Sequence, residues 1–119
     1  MLGNFDLHIH TTASDGSDTP RELAGKLAGL ALFSVTDHDT VEGALAMETL
    51  VPEGVRYLRG VEFTCISPAG KCHILGYNYD PDCPQFRIKC KIHMHHLILH
   101  HDFYGCILFF YSKVSTSYT

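Results

Sequence analysis

Long apolar runs and excess basic charge are both missing from this sequence. Even the apolar stretch at residues 106–111 is only six residues long, well short of the about 18 residues that a membrane-spanning helix needs. The formal net charge is −4, with nine Lys and Arg against thirteen Asp and Glu, which argues against a broad basic face for nucleic acid. The first residues contain no basic segment followed by an apolar one, so we expect no signal peptide, no membrane association and a cytoplasmic location.

Cysteine pairs and nucleotide-binding motifs are missing as well. The five cysteines are an odd number and include no C-x-x-C pair, a pattern typical of reduced, buried thiols rather than a disulfide framework. Neither a P-loop nor a G-x-G-x-x-G motif is present, so nucleotide-driven phosphorylation and dinucleotide redox chemistry lack support. With 119 residues, 45% of them hydrophobic and 18% charged, the chain is instead typical of one folded domain.

Composition changes abruptly near Pro84. Residues 1–84 carry five basic and twelve acidic residues, a net charge of −7, whereas residues 85–119 carry four and one, a net charge of +3. The second segment also holds five of the nine histidines and seven of the thirteen aromatic residues. We therefore predict two segments, 1–84 and 85–119, with turn-forming residues at their junction.

Short apolar runs alternate with helical patterns in the first segment, which predicts βα units and a mainly parallel sheet. A first helix begins at Thr19 as N-cap, with a proline next and Glu22 completing a capping box, and runs to about residue 30. A second helix opens with the cap-like residues 39–42 and runs to about residue 50. The predicted strands are 5–9, 32–36, 55–64 and 72–79, with glycines 60 and 76 marking bends or close backbone approach.

Residues of the kind that bind metals fall at or near the ends of these strands. His8 and His10 are two apart, so both imidazoles point to the same side of an extended chain. Each feature also has an ordinary explanation, a half-buried histidine pair or a turn residue, when it is taken alone. In a barrel of parallel strands, however, the carboxyl ends converge on one face. Four consecutive strands each supply a histidine or a glutamate, so convergence predicts that these side chains lie together at one face of the sheet. They are His8, His10, His38, Glu62 and His73, with Asp15 in the loop after the first strand as a further candidate.

Such a cluster favours metal-dependent hydrolysis. Histidine and carboxylate ligands together suit Zn, Mn or Fe, and a glutamate between two cations is the arrangement that two-metal hydrolysis requires. The metals would lower the pKa of a shared water and neutralise charge on a phosphate in the transition state. Phosphoryl or acyl hydrolysis is therefore expected, without a serine or cysteine nucleophile.

From about residue 5 to residue 79 the chain resembles the PHP (polymerase and histidinol phosphatase) superfamily of metal-dependent phosphoesterases. Asp15, in place of a histidine, is similar to the small stand-alone branch of that family. The segments that carry the resemblance are DLHIHT at 6–11, SDG at 14–16, VTDHD at 35–39, GVE at 60–62 and HILGY at 73–77.

The resemblance implies an α/β fold, a partial (β/α) barrel holding only the first three to four strands of a distorted seven-unit barrel. It also implies two or three divalent ions, Mn, Zn or Fe. One ion would be held by His8, His10 and Glu62, a second by Glu62 and His73, and a third by Asp15 and His38. Glu62 and Asp37 are the predicted catalytic residues, Glu62 as the bridge between cations. Asp37 and Asp39 would accept the second N–H of a ligating imidazole or cap a helix.

The second segment departs from the family pattern. Family domains are more than twice this length, and their later strands supply another histidine and an Asp-x-His pair, which residues 85–119 do not contain. The histidines between positions 93 and 101 have three readings: adventitious metal binders, ordinary surface residues, or the product of a truncated or shifted reading frame.

We therefore predict a phosphoesterase that hydrolyses phosphate mono- or diesters through a metal-bridging hydroxide. The substrate would be a phosphorylated small molecule, with nucleotides or the ends of short oligonucleotides favoured by the resemblance. The alternative is a catalytically incomplete chain that binds metal or a protein partner.

Self-association is the first testable prediction. Four strands cannot close a barrel, so an edge strand and an apolar sheet face stay open for pairing. We expect the isolated 119-residue chain to associate with itself and to turn over phosphate esters slowly. Size-exclusion chromatography with light scattering tests this, and a compact monomer with a turnover of about 10 per second would contradict it.

Overall fold

A computed structural model describes residues 3–67, 70–82 and 107–109 of the chain. Six strands and two short helices make up these residues. In chain order they are β1 (Phe5–Ile9), α1 (Pro20–Ala24), β2 (Leu32–Val35), α2 (Glu42–Met47), β3 (Arg56–Tyr57), β4 (Gly60–Ser67), β5 (Gly70–Tyr77) and β6 (Ile107–Phe109).

The first sheet is parallel and has the order β1-β2-β3, with a helix between each pair of consecutive strands. Phe33 and Val35 of β2 are fully buried and belong to one hydrophobic core with Leu23, Leu27 and Met47. The predicted mixed α/β class with parallel strands is thereby confirmed. The described residues form two three-stranded sheets and do not show a closed barrel.

The helix starts test the capping predictions. At α1 the Thr19 hydroxyl accepts the Glu22 backbone N–H at 3.2 Å and the Glu22 carboxylate accepts the Thr19 N–H at 3.1 Å, so the predicted capping box is confirmed. The predicted cap of α2 is wrong. The N-cap is Val41, whose apolar side chain makes no hydrogen bond. The Asp39 carboxylate bonds to β4, and the Thr40 hydroxyl accepts the Glu42 N–H at 3.3 Å.

Both helices are shorter than predicted. α1 ends at Ala24 with Gly25 as its C-cap, and α2 ends at Met47. Each continues as single turns with i to i−3 hydrogen bonds, such as Leu30 to Leu27 and Leu50 to Met47. Tighter turns of this kind are common at helix ends.

The second sheet corrects the predicted topology. The strand expected at 55–64 splits into β3, which pairs with β2, and β4, which begins a separate sheet of order β4-β5-β6. β5 runs antiparallel to β4, with Ser67 opposite Gly70. A parallel neighbour would need a crossover of a dozen or more residues, and two residues between the strands leave no room for one.

Gly60 lies where the two sheets meet. A Cβ on this residue would collide with the side chains of Ser34 and Thr36 in and after β2, which confirms the close backbone approach expected at this glycine. A parallel bridge between His38 and Glu62 joins the end of β2 to β4. The junction of the sheets therefore lies beside residues that were predicted to bind metal.

The second segment is described only at β6, which pairs with β5 through Leu75 and Phe109. The histidines between 93 and 101, and Cys83, Cys90 and Cys106, lie outside the described residues, and the boundary near residue 84 stays a prediction. Within the described ranges, no helix has the length and apolar character to cross a membrane.

Gly43 provides a stability test of the α2 start. A Cβ at Gly43 would collide with the Asp37 carboxylate and the Thr11 hydroxyl. We expect Gly43→Ala to lower the free energy of unfolding by about 2 kcal/mol, the cost of overpacking a tight site, in urea titrations. Gly25→Ala is the matched control. Its Cβ would lie 3.4 Å from the Glu22 carbonyl oxygen, so no loss is expected there, and equal losses in the two variants would contradict the packing assignment.

Candidate metal centre

Six predicted ligands meet around one open cavity of about 360 Å³. β1 contributes one histidine, the residue directly after β1 contributes a second, and the loop that follows contributes a carboxylate. The loop after β2, the start of β4 and the middle of β5 each add one residue. The cavity is lined by His8, His10, Asp15, His38, Glu62, His73 and also Lys71.

Glu62 lies at the centre of the cluster and is only 4% exposed. Its Oε2 atom is 2.8 Å from Nε2 of His8 and 2.8 Å from Nε2 of His10. The same oxygen is 3.8 Å from Nδ1 of His38, and Oε1 is 3.1 Å from Nδ1 of His73. One buried carboxylate is therefore shared by imidazoles from β1, β5 and the loop after β2.

The backbone around His38 fixes the position of Glu62. The Glu62 N–H donates to the Asp37 carbonyl at 3.0 Å, and the Asp39 N–H donates to the Glu62 carbonyl at 3.0 Å. The Asp39 carboxylate then accepts the Thr64 N–H at 2.8 Å. Asp39 itself has a φ of 54°, a left-handed conformation that Asp tolerates better than most residues. Asp39 therefore holds β4 in register with the His38 loop.

Asp15 approaches the cluster from the loop after β1. Its Oδ1 atom lies 2.9 Å from Nδ1 of His10 and its Oδ2 atom 3.3 Å from Nε2 of His38. The side chain is 67% exposed, so it closes the cavity on the solvent side. Gly16 makes this approach possible, because a Cβ there would collide with the His10 carbonyl.

Asp37 occupies a different position from the one predicted. The residue is fully buried, and its carboxylate accepts hydrogen bonds from the Thr11 N–H at 2.7 Å, the Thr11 hydroxyl at 2.7 Å and the Ser14 hydroxyl at 2.6 Å. It neither lines the cavity nor bonds to an imidazole. The geometry thus gives Asp37 the task of anchoring the loop that carries Asp15. Both of its oxygens are engaged because three donors converge from one short loop.

The charges of the cluster reinforce one another. Burial alone would raise the pKa of Glu62, but hydrogen bonds from His10 and His8 and the nearby imidazole charges outweigh it and lower the pKa to about 2. The hydrogen bond to Glu62 raises the pKa of His10, against the opposing effect of burial, and the Asp15 carboxylate adds to the rise. Glu62 is therefore ionised at neutral pH, and positive charge is favoured around it.

The side chains fit divalent cations in three overlapping groups. In each group the donor atoms lie within 4.8 Å of one another. Nδ1 of His10 is buried and makes no hydrogen bond, although Oδ1 of Asp15 lies 2.9 Å away. This nitrogen and this oxygen can both donate an electron pair, so the pair suits a shared cation. The groups are His8, His10 and Glu62; His10, Asp15 and His38; and His38, Glu62 and His73.

The structure brings all six predicted ligands together, but by a different route from the predicted convergence of strand ends. Glu62 is the third residue of β4, and His73 lies in the middle of the antiparallel β5. Lys71 was missed by the sequence interpretation. The sequence could have indicated Lys71, because residues two apart in a strand lie on the same face and Lys71 is two residues before His73.

Metal content tests the cluster directly. His8→Ala combined with His10→Ala removes two donors of the first group, so we expect the purified chain to lose at least one bound equivalent of Mn or Zn in elemental analysis. His95→Ala combined with His96→Ala is the control and should leave the metal content unchanged. Loss of metal only in the control variant would show that the second segment, and not this cluster, binds the ion.

Comparison with known proteins finds similar chains, although no family model matches this one. A 5′-3′ exoribonuclease from Haemophilus influenzae is 35% identical over 88 residues, which is 71% of this chain and 32% of the relative. A 3′,5′-nucleoside bisphosphate phosphatase from Chromobacterium violaceum is 37% identical over 93 residues, 76% of this chain and 33% of the relative. A phosphoribosyl 1,2-cyclic phosphate 1,2-diphosphodiesterase from Eggerthella lenta is 34% identical over 90 residues, 71% of this chain and 34% of the relative.

Solved structures of similar proteins also superpose on this chain. A chain assigned as a metal-dependent phosphoesterase from Bifidobacterium adolescentis superposes with a TM-score of 0.69 at 31% identity, covering 76% of this chain and 33% of that one. An amidohydrolase from Chromobacterium violaceum, solved with sulfate and without metal, superposes with a TM-score of 0.67 at 33% identity, covering 74% of this chain and 32% of that one.

The chain thus spans about a third of the length of the relatives it matches. The matched part is the N-terminal part, which contains the histidine and carboxylate cluster. The resemblance drawn from the sequence motifs is confirmed over the N-terminal part of this chain, which is similar to named phosphate-ester hydrolases and to a solved metal-dependent phosphoesterase.

Proposed function

We propose that this chain carries the N-terminal part of the active centre of a metal-dependent phosphoesterase. The observation that carries the proposal is the Glu62 carboxylate, which is buried and shared by imidazoles from three separate parts of the chain. A carboxylate with two oxygens facing different ligand groups is suited to lie between two cations. Among the described residues that line the cavity, none is a serine or a cysteine.

Each ligand group has a defined task in this proposal. His8, His10 and Glu62 would hold one ion, and Glu62 with His73 would hold a second. Asp15 and His38 supply the third position. The ions, when bound, lower the pKa of a coordinated water and neutralise phosphate charge. Asp37 would position Asp15 by anchoring the loop after β1. Asp39 would position Glu62 by holding β4 in register.

The proposed substrates are phosphate mono- or diesters of nucleotides or short oligonucleotides. The relatives support this class, since their names specify a nucleoside bisphosphate, a cyclic phosphate and RNA as substrates. A cavity of about 360 Å³ lies at the small end of the range for ligand sites. It accommodates the phosphate end of such a molecule and leaves the remainder outside.

A second candidate is a chain that binds metal without turnover. It is favoured by the exposure of the site, because the His8 side chain is 43% exposed and that of Asp15 is 67% exposed. A ligand set left open to solvent holds its cations in a less fixed geometry than a closed one, and loose geometry slows the chemistry. Metal bound without measurable hydrolysis would identify this second function.

Replacement of Glu62 tests the proposed enzyme. Glu62→Gln keeps the shape of the side chain but removes the charge shared by the ligand groups. We expect it to lower Mn-dependent hydrolysis of a generic phosphate ester by about 100-fold or more, the scale on which loss of one transition-state contact lowers kcat. Nucleoside 3′,5′-bisphosphates and short 5′-phosphorylated RNAs then test the substrate class in the same assay.

Glu53→Gln is the matched control, since Glu53 is exposed and lies outside the cavity. Its rate should equal that of the parent chain. Turnover that resists a chelator, or a Glu62→Gln chain that works at the parent rate, would exclude the two-metal proposal.

A further inference from the structure

Lys71 is the one lysine or arginine among the seven described residues that line the cavity. It lies near the start of β5 and is exposed. The metal-ligand groups do not include it, and an ammonium has no lone pair with which to bind a metal. Its presence beside the ligand cluster therefore calls for another role.

The register of the hairpin places Lys71 on the same face as the ligands. Glu62 is opposite Leu75, Thr64 is opposite His73, and the next pair on that face is Ile66 with Lys71. Successive pairs on one face are two residues apart, or roughly 6.5 Å along the strand. Lys71 therefore stands one step beyond His73, at the rim of the cavity and not at its centre.

The ammonium of Lys71 is not engaged by the carboxylates of the site. Lys26 pairs with Asp18 at 2.8 Å, and Arg59 pairs with Glu48. Among the described residues Lys71 has no such partner, although Glu62 and Asp15 line the same cavity. The oxygens of those two carboxylates already contact imidazoles, so the lysine remains available to an anion that enters from solvent.

We propose that Lys71 is a substrate-binding residue that contacts a phosphate oxygen when the phosphate reaches the cation cluster. The proposal rests on the phosphoesterase function. Cations in the cluster would attract the phosphate from one side, and Lys71 would pair with an oxygen on the rim side. A lysine suits this position because its compact charge and flexible stem accept a phosphate in several orientations.

Binding of inorganic phosphate to the Mn-loaded chain tests the inference without any turnover. Bound Mn²⁺ accelerates the ³¹P relaxation of a phosphate that lies close to it, so a titration reports phosphate at the cation cluster. We expect Lys71→Gln to weaken phosphate binding about threefold to tenfold, as for one partly exposed charged contact. Mn stoichiometry should stay equal to that of the parent chain. Lys71→Arg keeps the charge and should bind phosphate nearly as well as the parent.

Lys26→Gln is the matched control, because Lys26 pairs with Asp18 away from the cavity, and its phosphate affinity should not change. Parent-like affinity in Lys71→Gln, loss of Mn in that variant, or a parent chain that binds no phosphate would each overturn the inference. The proposed function fails separately. If Lys71→Gln weakens phosphate binding but the parent chain hydrolyses no ester, the Lys71 inference stands and the proposed phosphoesterase function fails.

Discussion

The rest of the site depends on a single buried carboxylate, that of Glu62. A charge removed from water is costly unless it is matched by donors or opposite charge. The chain meets this requirement with imidazoles from β1, β5 and the loop after β2. Because no one of these elements supplies enough partners, their relative positions are constrained by the same side chain. The need to satisfy Glu62 therefore couples the parallel sheet to the antiparallel one.

Two aspartates that were predicted to accept an imidazole N–H or to cap a helix instead bond to backbone N–H groups and hydroxyls. Asp37 gathers the loop after β1 through Thr11 and Ser14, and Asp39 secures β4 through Thr64. Both are neighbours of His38 in sequence. The segment 37–39 therefore contacts the loop after β1 and strand β4, and it also places His38 in the cavity. Close approach of neighbouring backbones at Gly16 and Gly60 leaves these contacts little freedom to shift.

The sequence predicted the parts of the fold that depend on local rules. The capping box at Thr19 and the strand with His8 and His10 follow from side-chain chemistry within a few residues. The hairpin of β4 and β5 was missed because an apolar run does not reveal the direction of its neighbour. The short gap between the two runs contained that information. The role of Asp37 was beyond prediction, since its donors are 23 and 26 residues away in the chain.

The ligands come from two stretches of the chain, residues 8–38 and residues 62–73, and the second stretch is the hairpin of β4 and β5. Each ligand group that contains Glu62 also contains a histidine from the first stretch. An ion bound by such a group acts as a cross-link between distant parts of the chain. His8 and Glu62, for example, are 54 residues apart. In the proposed metal-bound chain, binding to the folded form and not to the unfolded one would favour folding by mass action. Metal supply and the stability of the folded chain would then be linked through this one geometry.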